Sequence, residues 1–387
     1  GDITLTVNPA AGLAPDSLHV AMVTLSSASA NIERSETIRV GYWKGSANPA
    51  DLSVLLPEFP WAQAVNPVEP YAYSLYGGQV HVYHVYTGAE IATFDNANFQ
   101  NIAEGLGYPI SIEVNSDGTA LYVANGATNR VVAIDAVTGA VLNTWNITPR
   151  FQSLDAKIRF TRVNGYPILI TPLGSGRTEI IDLEAGSLLE QTSQGGQWFV
   201  EFESVRATSP DGSRLFTILG HSTSETVSQF GMVFGTLGGR ALEISTAGAV
   251  FTQDTGFTRQ MCITPSGTRL YTHNSASLTE IAIDVDPPLR LREIERPDYP
   301  GTSVQAIDCN WNGRLYVALQ VFEGDLDNVM VFDADGTQVD SLLSGPLNSG
   351  VVLELMGLTG DSRRMVTTNA QVGDPAPLVS INFTNLP

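Results

Sequence analysis

Lysine is nearly missing from this 387-residue chain: only Lys44 and Lys157 occur, and the other cations are arginines. Lys and Arg total 20 against 40 Asp and Glu, leaving a net charge of −20. Such a surface repels phosphate backbones and anionic lipid, which argues against nucleic-acid partners and against membrane-surface binding. Long apolar runs are missing too, and none comes near the ~18–20 residues that a membrane-crossing helix needs. The chain opens at Gly1 with no basic stretch leading into an apolar one, which predicts a mature form or a piece cut from a longer chain. Cysteine is scarce, with Cys262 and Cys309 the only two. No C-x-x-C occurs, so a cysteine zinc site and a thioredoxin-like redox motif are excluded, and a haem carried on this chain is disfavoured. No G-x-S-x-G nucleophile elbow is present. No glycine-rich loop leads from a strand into a helix to cradle a phosphate.

Glycine, by contrast, is plentiful at 36 residues, and proline numbers 21. That composition implies many turns and hence many short strands. The segment "VNSDGTALYV" carries a turn glycine, Gly118, and related segments place Gly165, Gly212, Gly267, Gly313 and Gly360 at successive separations of 47, 47, 55, 46 and 47 residues. A period held that closely marks a repeat architecture. Each copy has the same grammar. An apolar strand such as "ISIEV" meets a polar turn in which Asp or Asn bonds its own backbone and Gly supplies positive φ. A second strand ("ALYVA", "RLFTI", "RLYTH"), a third ("RVVAID", "TEIAID", "NVMVFD") and a fourth ("AVLNTW", "TQVDSLL") follow with short turns, as in an antiparallel meander.

A unit of four short strands cannot bury both of its faces alone. Stacking copies radially buries them and leaves only short edges, so a β-propeller is expected. A further copy lies upstream, in "AYSLYGGQVHVYHVYTGAEIATF" after "WAQAV". The expectation is therefore an all-β, seven-bladed propeller of four-stranded antiparallel blades. The last copy holds three strands, and its missing outer strand must come from upstream, from "DLSVLLP" at 51–57 or "ETIRVGYW" at 36–43. The domain reading is a strand-rich segment over 1–50 and a propeller over 51–387 closed by an N-terminal strand. The segment over 1–50 is too short for a full sandwich, for which ~100 residues are usual. It is a fragment of an immunoglobulin-like module, a latch, or a set of strands for a neighbouring molecule.

"DGTALYVANGATNRVVAIDAVTG" resembles the YVTN-type propeller repeat, in Asp117, Gly118, Leu121, Tyr122, Val123, Asn125, Val132, Ile134, Asp135, Thr138 and Gly139. The resemblance spans about 61–387. It implies a surface-layer-like propeller of a secreted or cell-surface protein, often joined to immunoglobulin-like modules. The motif residues build blades and carry no catalytic signature.

Candidates for chemistry are few. His81 and His84 share a strand, but their odd spacing sends them to opposite faces, so they cannot bind one metal together. His19, His221 and His273 stand apart from them in sequence. Asp325 and Asp327, in an acidic loop without the EF-hand pattern, are the candidates for calcium; no other cofactor is expected. Cys262 and Cys309 lie on the first strands of adjacent units. Alignment on the turn glycines lets them meet as a disulfide, whereas alignment on "RLY" leaves two buried thiols. Asn146 and Asn382 head N-x-T triplets. Trp43, Trp61, Trp145, Trp198 and Trp311 could stack on sugars if exposed, though aromatics between blades are more often core.

Three readings follow. The first is a non-catalytic, extracellular or cell-surface (or periplasmic) structural or interaction module for adhesion, envelope-layer or filament assembly. Its protein partners, or further copies of itself, would engage the N-terminal strands. The second is an enzyme with its site at the channel mouth, lactonase-like or a dehydrogenase subunit. The third is a carbohydrate- or small-ligand-binding module.

Overall fold

The computed structural model describes residues 6, 12–26, 28, 35–45, 50–99, 110–125, 128–147, 158–163, 166–173, 177–193, 204–210, 214–221, 224–234, 242–253, 260–273, 277–285, 289–295, 303–310, 312–320, 327–342, 351–371 and 378–387. All regular structure in them is β. Blade I comprises Ala62–Val65, Tyr71–Tyr76, Gln79–His84 and Glu90–Asp95. Blade II comprises Ile110–Val114, Ala120–Asn125, Arg130–Asp135 and Val141–Asn146. Blades III, IV and V repeat this order over 159–193, 204–253 and 260–295, each with four antiparallel strands. Blade VI is an eight-stranded sheet. It holds Ser303–Cys309, Leu315–Gln320, Val329–Phe332, Gln338–Leu342, Val351–Leu358, Arg364–Gln371, Leu378–Asn385 and, from far upstream, Leu52–Leu56.

The expectation of seven four-stranded blades is thereby corrected: hydrogen bonding makes six blade sheets, five of four strands and one of eight. A single pair, Gln320 with Val351, joins the second strand of one repeat to the first strand of the next. The sheet folds back there, so that Met365 packs on Tyr316, Ala318, Val329 and Val331. Turn glycines count repeats, and repeat number need not equal sheet number when two neighbours share a backbone pair.

Alternation explains how the blades pack. On the second strand of blade I, Tyr73 and Leu75 face Leu121, Val123, Val132 and Ile134 of blade II. Ala72 and Tyr76 face the other way, onto Val366, Val379, Ile381 and Phe383 of blade VI. Period-2 strands with both faces apolar are what radial stacking requires.

The turn chemistry read from sequence is present where it is described. Gly118 sits at φ +68, and a Cβ there would lie 2.2 Å from Asn66 Oδ1. Gly267 and Gly313 also have positive φ. Gly360 lies in a described turn, whereas Gly165 and Gly212 lie outside the described residues. Asp135 Oδ1 accepts from the backbone N–H groups of Val137 and Thr138 at 3.0 and 2.8 Å. Those bonds, with the Thr138 hydroxyl, outweigh burial and hold the Asp135 carboxyl below its usual range.

Leu52–Leu56 pairs antiparallel with the C-terminal strand, from Leu52 with Phe383 to Leu56 with Val379. Arg364 is fully buried beside this seam. It donates to Phe383 O at 2.7 Å and to Ala50 O at 3.0 Å. The other upstream candidate, Glu36–Lys44, pairs instead with Ser17–Leu25 in a separate two-stranded hairpin.

Candidate functional site

The hairpin lies on the propeller face that carries the turns between first and second strands. The local cause is glycine: a Cβ on Gly41 would sit 2.1 Å from Val68 O, so the strand Glu36–Lys44 touches the blade I turn directly. Two arginines flank that contact. Arg39 donates to Glu69 Oε1 at 2.5 Å and to Asp117 O at 2.9 Å. Arg162, on the first strand of blade III, reaches Glu36 at 3.0 Å and Asp117 at 2.6 Å. Two guanidiniums thus tie the hairpin to blades I, II and III. Glu69 is buried, so its bond to Arg39 is of the strong, charge-assisted kind.

At the other end of the same strand, Trp43 packs edge-on against His84 with ring centroids 4.6 Å apart, and stacks on Tyr86 at 6.2 Å. Tyr71 closes the cluster from beneath, 6.1 Å from His84. His84 Nδ1 accepts from Tyr86 N, and burial pushes the His84 imidazole below its usual value. Burial therefore favours the neutral ring. Burial, and then the charge of Asp361, push the Tyr86 phenol well up, so that it stays a donor to Asp361.

Ser17–Leu25 has Glu36–Lys44 as its one strand partner among the described residues, and the Ser17 hydroxyl also donates to Ala14 O at 2.6 Å. Its pairing runs through nine consecutive residues without a register shift. Val20 is 44% and Met22 61% exposed, and they share one face. Ser17 and His19 are bonded to each other at its start.

The residues singled out from sequence fall elsewhere. His81 bonds Glu90 at 2.8 Å and stacks on Tyr76, away from His84's cluster. Asp325 lies outside the described residues, and Asp327 accepts from the Ser341 hydroxyl. Among the described residues no three of His, Cys, Asp and Glu are grouped to hold a metal ion. Cys262 and Cys309 are disulfide-bonded with Cα atoms 6.0 Å apart, joining the first strands of blades V and VI. Asn382 is fully buried and bonded to Ser53, so a glycan cannot reach it; Asn146 is exposed. Trp61 is exposed at 51%, and Trp145 is buried with its N–H on Gly186 O at 3.1 Å. Trp198 and Trp311 lie outside the described residues. Arg39, Glu69 and Arg162 were not legible as a set. Composition gave no signal either, since Arg34, Arg39 and Lys44 leave residues 1–50 about as rich in cations as the rest of the chain.

No family model matches the chain, and no curated protein matches it. Assignment to the YVTN-type family is therefore withdrawn. The residues that suggested it are turn and core residues, such as Gly118 at its positive φ and Leu121 and Val123 between blades, that any such blade needs. Among solved structures, the chain is similar to the Myceliophteria thermophila Cps50 (Swd1) beta-propeller domain. Identity is 11% over 87% of this chain and 100% of that one, with a TM-score of 0.61. It is also similar to Kuenenia stuttgartiensis hydrazine synthase, at 13% identity over 80% of this chain and 92% of that one, with a TM-score of 0.58. At such identities the likeness is one of fold: the chain is a β-propeller. A propeller domain and an enzyme both share that fold, so the fold selects no activity.

Proposed function

We propose that the protein is a non-catalytic structural or interaction module of an extracellular, cell-surface or periplasmic assembly, engaging protein partners or further copies through its N-terminal strands. The observation that carries this reading is the hairpin. One strand is fastened to the propeller by Arg39, Arg162 and Trp43. The other offers an apolar, unbulged edge with Met22 and Val20 exposed. An extended segment adding to such an edge gains main-chain hydrogen bonds along its whole length. In this reading residues 1–50 are the interaction segment and 51–387 the platform. The Cys262–Cys309 bond supports the compartment, because disulfides persist where the surroundings are oxidising.

The test compares the full chain with a form lacking residues 1–35, by light scattering coupled to size exclusion and by negative-stain imaging. The shortened form keeps Glu36–Lys44 with its propeller contacts. Assembly by the full chain and a folded monomer from the shortened one is the expected result. Identical behaviour of the two removes the reading. Labelling intact cells with a membrane-impermeant reagent checks the compartment.

A further inference from the structure

A polar island interrupts the apolar interface where the ring closes. There Ala72 and Tyr76 of blade I pack on Val366, Ala370 and Ile381 of blade VI. Gln63 and Ser74 are direct partners across the first two strands of blade I, so their side chains share a face. Ser74 lies between Ala72 and Tyr76, and alternation turns that face toward blade VI. Thr368 lies between Val366 and Ala370 on the facing strand, and its hydroxyl donates to Gln63 Oε1 at 2.7 Å. Ser74 and Thr368 are fully buried. Gln63 Nε2 and Ser74 Oγ are buried too, yet neither has a hydrogen-bond partner among the described residues.

A buried polar group left dry loses its hydration and gains nothing in return. Two such groups on directly opposed residues point to one shared partner. We infer that Gln63, Ser74 and Thr368 hold a single buried water at this seam. The water accepts from Gln63 Nε2 and from the Ser74 hydroxyl. It donates to Thr368 Oγ1, whose own proton is committed to Gln63 Oε1. Buried waters usually make about three such bonds. Opposed residues of an antiparallel pair keep their Cβ atoms within about 5.5 Å, so one water reaches both. The neighbours Ala72 and Ala370 have short side chains that leave it room. Three neutral groups suit water rather than an ion. The inference is independent of what the N-terminal strands do.

The full chain is used throughout the test. A high-resolution crystal structure is expected to show one water within hydrogen-bonding distance of Gln63 Nε2, Ser74 Oγ and Thr368 Oγ1. Protein groups turned to bond Gln63 Nε2 and Ser74 Oγ directly, or an empty space between them, overturn the inference. The sign of a stability change gives a second test. With the water in place, Ser74→Ala takes away one of its partners, and the urea midpoint falls. In a dry site the same change removes a stranded hydroxyl, and the midpoint rises. A rise, or no change, overturns the inference. Gln63→Met, Ser74→Ala and Thr368→Val together make the island apolar. That variant is expected to hold one long-lived water fewer by relaxation dispersion of the solvent, and an unchanged count overturns the inference. Should the triple variant fail to fold, the crystal structure and Ser74→Ala decide.

Discussion

The outer edges of the blades and the outer edge of the hairpin are both ends of antiparallel pairings, yet they are built differently. In blades I to V, and in the first half of blade VI, the pairing of the third strand with the fourth carries a register shift. Examples are Val82/Tyr83 in blade I and Ala133/Ile134 in blade II. A bulge there bends the edge strand and raises its twist, which makes it a poor template for another chain. The hairpin pairing has no shift over nine residues. The seam closed by Leu52–Leu56 also runs without one, and there continuity serves pairing within the molecule. At the outer edges of the blades, then, a shift accompanies strands that stay alone, whereas inner first strands such as Ala62–Val65 and Ile110–Val114 end their sheets without one.

That contrast can be broken at several points. The largest effect is expected at the joined seam. Arg364→Met leaves the carbonyls of Ala50 and Phe383 without their buried donor. A loss of about 3 kcal/mol is expected, at roughly 1–3 per unsatisfied buried group, read as a lowered denaturant midpoint. Next comes the disulfide. Replacing Cys262 and Cys309 together by Ala frees a loop of sequence separation 47 and should cost about 2–4 kcal/mol. Thermal unfolding with and without reductant measures it, and reductant should leave the double variant unchanged.

At the docked strand, Arg39→Ala strands the buried Glu69 carboxylate, and hairpin docking should weaken by about 2 kcal/mol. Faster amide exchange in 36–44, with the blades unaffected, is the expected readout. The smallest effect is the pH dependence of the same contact. His84 is held below its ordinary value of 6.5 by burial, so the docked state disfavours its protonation. The stabilisation is complete above that value and is lost as pH falls through the lower, docked-state one. Protection factors in 36–44, taken relative to intrinsic exchange at each pH, should therefore fall on acidification, and His84→Phe should flatten that fall.

The repeat was legible in the chain because each blade demands the same local physics at each turn, and Gly118, Gly267 and Gly313 do adopt the positive φ that their turns need. The functional face was not legible. Arg39, Glu69, Asp117 and Arg162 come from four separate stretches, with no spacing rule to link them. The sheet count was misread for a related reason, since the Gln320–Val351 pair joins two repeats and leaves no mark in the glycine period.

What the sequence determined alone is the all-β repeat: turn residues and period-2 apolar alternation act over a few residues, so their outcome is written locally. Tertiary structure alone decided which upstream strand enters the ring, which one docks on its face, and where the arginines find carboxylates. Those choices depend on contacts between segments tens to hundreds of residues apart, where geometry in space, and no local pattern, sets the energy.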